Sequence, residues 1–218
     1  MNKAHEPFRF LTASYLTRIS AQKATNLRGL EEALETCSDH SIFYHTFQTL
    51  GRHHFLTEGF SNDFAQWVLA ATNQAALAER LAGIDIRDYL SLADLRNAVR
   101  RVVKNYCEAF PAECARTAFE PFYFCESIQV TVPLNREART LEEFERELRT
   151  LSHDTLHFHF IASRLRLHLR TNDFSHWFAT ALGMERLAAR IDAIDIYTNT
   201  LDSVQASLLA LVEGVLKS

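Results

Sequence analysis

From Phe122 to Val132 the chain moves toward strict alternation. Ile128, Val130 and Val132 fall on one side, Gln129 and Thr131 on the other, and Pro133 follows. A two-residue period of this kind predicts a strand. The stretch Phe8 to Ile19 is similarly aromatic and β-branched, alternates less cleanly, and predicts a second strand. After each, the spacing of apolar residues becomes helical. Thr140-Leu141-Glu142-Glu143 is a capping-box pattern ahead of Phe144, Leu148 and Leu151, and its counterpart begins near Asn26. Further helices are expected from Ser38 and Ser152, each placed as an N-cap. Others follow from Asn62-Asp63-Phe64 and Asn172-Asp173-Phe174, where Asn caps free amides and Asp faces the positive helix end. These break near Asn73 and Gly183, and a short helix follows over Gln74 to Ala82. The last helices are expected from Ser91 to about Tyr106 and from about Thr200 to Leu216.

The two series of elements are copies of one another. Shifted by 114 residues, Pro7-Phe8-Arg9-Phe10 lies over Pro121-Phe122-Tyr123-Phe124, and the match continues ungapped to Phe47 over Ile161 with 11 of 41 positions identical. Unrelated chains of this composition share roughly two or three. Four residues are then missing from the second copy. At a shift of 110, residues 62–90 share 11 of 29 positions, including Asn62-Asp63-Phe64, Trp67 and Ile84-Asp85-Ile86 with their counterparts. The expected fold is α+β and mostly α-helical: an internal duplication of a strand plus four or five helices, with repeats at 7–107 and 121–218 and a connector at 108–120. A lone strand leaves backbone donors and acceptors unpaired. Pairing of the two strands is therefore expected, within one compact pseudo-two-fold domain over 1–218.

Charge narrows the function classes. A net charge of −4 gives no general attraction to nucleic acid or anionic membranes. Arg96, Arg100, Arg101 and Lys104 stand at helical spacing, as a solvated helix face does. No stretch approaches the roughly 20 apolar residues of a membrane span and Met1 to Phe10 has no signal-peptide core, so a cytoplasmic location is expected. Cys37, Cys107, Cys114 and Cys125 form no CxxC pair and read as free thiols.

The candidate chemistry is repeated as well. On a helical wheel Ser41, His45, Thr49 and Arg52 share a face, and the second copy reproduces it as Thr155, His159, Ser163 and Arg166. His and Arg on one face suit an anionic group, Arg by its bidentate fork. Asp63 and Asp173, opening the next helices, are placed to orient the imidazoles. His45, Arg52, Asp63, His159, Arg166 and Asp173 are thus the candidate ligand-binding residues. The competing reading is the polar side of an amphipathic helix with His and Asp bonded structurally. His53, His54 and His168 are weaker candidates for a metal, since no HExxH or carboxylate–His motif accompanies them. No Gly-rich phosphate loop or GxSxG is present. Phe and Trp of the Asn-Asp-Phe-x-x-Trp motif are expected as core anchors.

At Ser-Ile-Phe-Tyr-His (41–45), His-His-Phe (53–55) and Asn-Asp-Phe-Ala-x-Trp (62–67) the chain resembles an uncharacterised bacterial domain-of-unknown-function family, number 5752, over nearly its whole length. The second copy departs from it where Leu167-His168 replaces His53-His54. The resemblance implies no activity, cofactor or catalytic residue. Two functions remain: an interaction or regulatory protein without enzymatic activity, or a protein that binds a small ligand or metal, as an enzyme or otherwise, through one or both His/Arg/Asp clusters. A protein partner or a homodimer is compatible with either.

Overall fold

Two strands of equal length open the two series of helices. β1 is Phe8–Ala24 and β2 is Phe122–Ala138. They pair antiparallel in a two-stranded sheet. The structure, a computed structural model, describes residues 3–48, 60–167 and 170–217, and of residues 166 and 167 the backbone alone. β2 runs past Pro133, where the sequence pattern ends it, and contains Asn135 at φ 55°. An edge strand tolerates a proline because one side of its ladder is unused, and Asn accepts the left-handed region better than most residues.

After β1 come α1 (Leu27–Thr36), α2 (Asp39–Phe43), a π-helical turn (Tyr44–Gln48), α3 (Asp63–Thr72), α4 (Ala75–Ala82), α5 (Leu92–Ala109) and α6 (Pro111–Ala115). After β2 come α7 (Leu141–Leu148), α8 (His153–Leu156), a π-helical turn (His157–Ile161), α9 (Ser163–Leu167), α10 (Asp173–Leu182), α11 (Glu185–Asp192) and α12 (Leu201–Leu216). The fold is α+β and mostly helical. The start signals are caps. Asn26, Ser38, Asn62, Ser91, Thr140, Ser152, Asn172 and Thr200 each accept a backbone N–H of the first turn through the side chain. Each cap is worth about 1 kcal/mol. α3 and α10 stop at residues of positive φ, Asn73 at 55° and Gly183 at 67°. That is the C-terminal signal of a left-handed cap.

The contacts group into two units. Unit one is Met1–Ser14 with Gln129–Ser218, and unit two is Tyr15–Ile128. Each unit therefore holds the helices that follow one strand and the leading segment of the other strand. In unit one Phe8 lies 4.9 Å from the His159 ring, 5.4 Å from Phe174 and 5.7 Å from Trp177. In unit two Phe122 lies 4.7 Å from His45, 5.2 Å from Phe64 and 5.6 Å from Trp67. Phe10 and Phe124 complete these clusters and are fully buried. Each such side chain contributes about 1.5–3 kcal/mol of burial. The tryptophans also hold the chain entering each strand: Trp177 Nε1 donates to Glu6 O at 2.9 Å and Trp67 Nε1 to Glu120 O at 2.8 Å.

The predicted charged face on α5 is only partly solvated. Arg96 donates to Cys37 O at 2.7 Å, and Arg100 pairs with Glu31 at 2.7 Å and Glu35 at 3.0 Å. Arg101 and Lys104 are exposed. No described helix is long and apolar enough to cross a membrane.

Candidate functional site

Both strands carry the same irregularity. Burial alternates at Phe8 and Phe10, slips by one residue, and resumes at Ala13. In β2 the sequence is Phe122, Phe124, then Ser127. In a two-stranded sheet every second N–H points away from the partner strand and needs another acceptor. Near the slip in each strand that acceptor is a histidine. Leu11 N donates to His159 Nε2 at 2.9 Å in unit one, and Cys125 N donates to His45 Nε2 at 2.9 Å in unit two.

The helices are shaped to bring each ring there. Ser38 and Ser152 start α2 and α8, which pass into π-helical turns at the histidines. Thr46 Oγ1 donates back to Ile42 O at 2.6 Å and Ser163 Oγ to His159 O at 2.7 Å. Such back-bonding accompanies departures from straight α-helix. Because a backbone N–H can only donate, Nε2 of each ring must accept, and Nδ1 carries the proton. Nδ1 of His45 donates to Asp63 Oδ2 at 2.8 Å, and Nδ1 of His159 to Asp173 Oδ2 at 2.6 Å. Both rings are the neutral Nδ1–H tautomer with both nitrogens engaged. They are 3% and 2% exposed.

The hydroxyl–imidazole stripe is therefore not the solvated side of an amphipathic helix. Ser41, Thr155 and Ser163 are buried with the histidines, and so are Ile42, Phe43 and Phe47 on the other side. From Ser41 to Gln48 every residue but Tyr44 is buried, so this stretch presents no polar stripe to water. Of the six candidate ligand-binding residues, the structure brings His45 to Asp63 and His159 to Asp173. Arg52 lies outside the described residues, as do His53, His54 and His168, and the side chain of Arg166 is not described. Among the described residues no three potential ligands gather around one metal position.

The asparagines beside the aspartates are structural on both sides of the amide. Asn62 Oδ1 accepts from Ala65 N at 2.9 Å and its Nδ2 donates to Leu81 O at 3.1 Å. Asn172 accepts from Ser175 N at 3.0 Å and donates to Asp192 at 2.8 Å.

A family model covers residues 5–213. The chain belongs to DUF5752, a family of unknown function. It is similar to the solved structure of OrfY from Thermoproteus tenax, at 27% identity and a TM-score of 0.85, over 100% of this chain and 99% of that one. No curated protein matches.

Membership in this family leaves the chemistry to the residues themselves, and two features lie outside the sequence pattern. Unit one has an open pocket of about 370 Å³ whose lining includes His5, Arg9, His159, Asp173, His176 and Trp177. The aligned positions in the other copy hold Phe119 for His5, Tyr123 for Arg9 and Gln66 for His176. In unit two, Ser41 Oγ, Gln48 Oε1 and Ser127 Oγ are buried without a hydrogen-bond partner among the described residues. Their counterparts are Thr155, which bonds Ser152, and the apolar Ala162 and Ala13. Only comparison of the copies, position by position, marks these sites of divergence. Burial pushes the Cys107 and Cys114 thiols up.

Proposed function

We propose that this chain is a cytoplasmic interaction or regulatory protein without enzymatic activity. The supporting observation is the engagement of both nitrogens of His45 and of His159 by a backbone N–H and an aspartate. A general base needs a nitrogen free to take a proton from substrate, and the repeated imidazoles offer none. Their retention in both copies has a structural reason in these bonds to the strand backbone. The negative net charge favours a protein partner over nucleic acid.

The test combines crosslinking pull-downs from cells with a turnover screen of the pure protein. Recovery of a specific protein partner, with no substrate turned over, is the expected result. Turnover of a defined substrate that His45→Gln or His159→Gln abolishes in a folded protein would overturn the proposal.

A second reading rests on the unit-one pocket. Its volume lies in the range of small-molecule sites, roughly 300–1,000 Å³. Arg9, His5 and His176 suit a carboxylate or phosphate, with Glu6 and Asp173 opposing it in the same lining. Titration with inorganic phosphate and citrate, followed by NMR, separates the readings: saturable shifts lost in Arg9→Ala support the pocket. The metal version concerns His53, His54 and His168 and predicts a stoichiometric metal, lost on His54→Ala, in elemental analysis of untagged protein.

A further inference from the structure

The middle of β2 is exposed without a break over residues 128–133. Val130 is 49% exposed and Val132 41%. Among the described residues the sheet has no third strand, so the outer side of β2 is an open edge. Natural proteins guard such edges with charges, prolines or cover. β2 from Ser127 to Asn135 carries no charge, between Glu126 on one side and Arg136 and Glu137 on the other, and has Pro133 as its one internal guard.

Pro133 also sets which way the edge faces. It has no N–H, so it fits β2 where that position is not needed by β1. Residues of the same parity, Gln129 and Thr131, then direct their N–H and C=O groups outward.

We propose that this edge pairs with the same edge of a second copy of the chain, antiparallel, with Val130 on the two-fold axis. The register is self-complementary. Gln129 of one copy exchanges two backbone hydrogen bonds with Thr131 of the other, and the symmetric pair doubles this. Val130 faces its own copy in a non-hydrogen-bonded pair, and Val132 faces Ile128 of the second copy. β-branched side chains meet on one side and Gln meets Thr on the other, with no charge opposed. Pro133 ends the ladder. A two-fold contact of this kind closes on itself as a dimer instead of growing into a fibre. The inference stands on β2 and is independent of the non-enzymatic reading, since an enzyme can dimerise equally well.

Sedimentation equilibrium and native mass spectrometry of the full chain test it. A monomer–dimer equilibrium with a dissociation constant on the order of 1–100 μM is expected, as befits a contact smaller than a standard interface. Val130→Lys places two ammonium groups on the axis and should weaken the dimer at least tenfold. Its circular dichroism and melting curve should stay as in the parent, because Val130 is half exposed. Val130→Cys should form a covalent dimer under oxidised glutathione, above the background of the native thiols, while Gln129→Cys should not. A monomer at all concentrations, or a dimer unchanged by Val130→Lys, would overturn the proposal. So would Val130→Cys crosslinking no better than Gln129→Cys.

Discussion

His159 accepts the backbone N–H of Leu11 at 2.9 Å across 148 residues of chain. His45 does the same for Cys125 across 80. Truncating either ring strands a partly buried N–H and removes the partner of an aspartate, at a cost of about 1–3 kcal/mol. His45→Ala and His159→Ala are each expected to lower the urea midpoint with little change in slope. A variant with parental stability would remove the structural account of the stripe.

The exchanged strand segments predict which helices feel a given substitution. Phe8→Ala is expected to cost about 3–5 kcal/mol and to raise hydrogen exchange in α10 while leaving α3 protected. Phe122→Ala should do the reverse. Mass-spectrometric exchange reads the two helices separately. Deprotection of α3 by Phe8→Ala would contradict the assignment of strand segments to units.

Glu126 sets an acid limb of stability. The Ser38 hydroxyl, at 2.7 Å, and the Arg18 guanidinium hold its carboxyl below the usual glutamate range. The folded chain thus binds this proton more weakly than the unfolded chain does. The stabilisation is fully present above the unfolded value of about 4.3 and is lost as pH falls through the lower folded value. Glu126→Gln should flatten the fall in urea midpoint below about pH 4.3.

Cys37 is fully buried, and that burial pushes its thiol up to about 11 against the opposing pull of Arg96. At neutral pH roughly one thiol in ten thousand is then thiolate. Alkylation of Cys37 by iodoacetamide, mapped by mass spectrometry, should be at least about a hundredfold slower in the folded protein than in urea.

The caps were legible because each is local: Asn62, Ser91 or Thr140 acts on an amide two or three residues away. Strand pairing was legible from the need to satisfy the backbone. The exchange of segments was not. Phe8 and Phe122 are equivalent in sequence, and a hydrophobic pattern is equally satisfied by either set of helices. Burial of the stripe was hidden for a related reason. Ser41 and His45 read as polar on a wheel, but His45 is held by the backbone N–H of Cys125, and a backbone N–H has no sequence signature. The ends of the strands were set too early, since Pro133 stops a central strand and not an edge strand.

The placement of Phe8 against Phe174 has a consequence for synthesis. At about 5–20 residues per second, the aromatic pair Phe8 and Phe10 emerges on the order of ten to thirty seconds before the helix that will receive it. Once Ile128 has emerged unit two has all its own residues, whereas unit one still has a leading segment and no binding groove. The nascent chain thus carries this aromatic stretch uncovered until α10 has emerged. Factors that shield emerging chains are expected to matter for its yield more than its finished stability would imply.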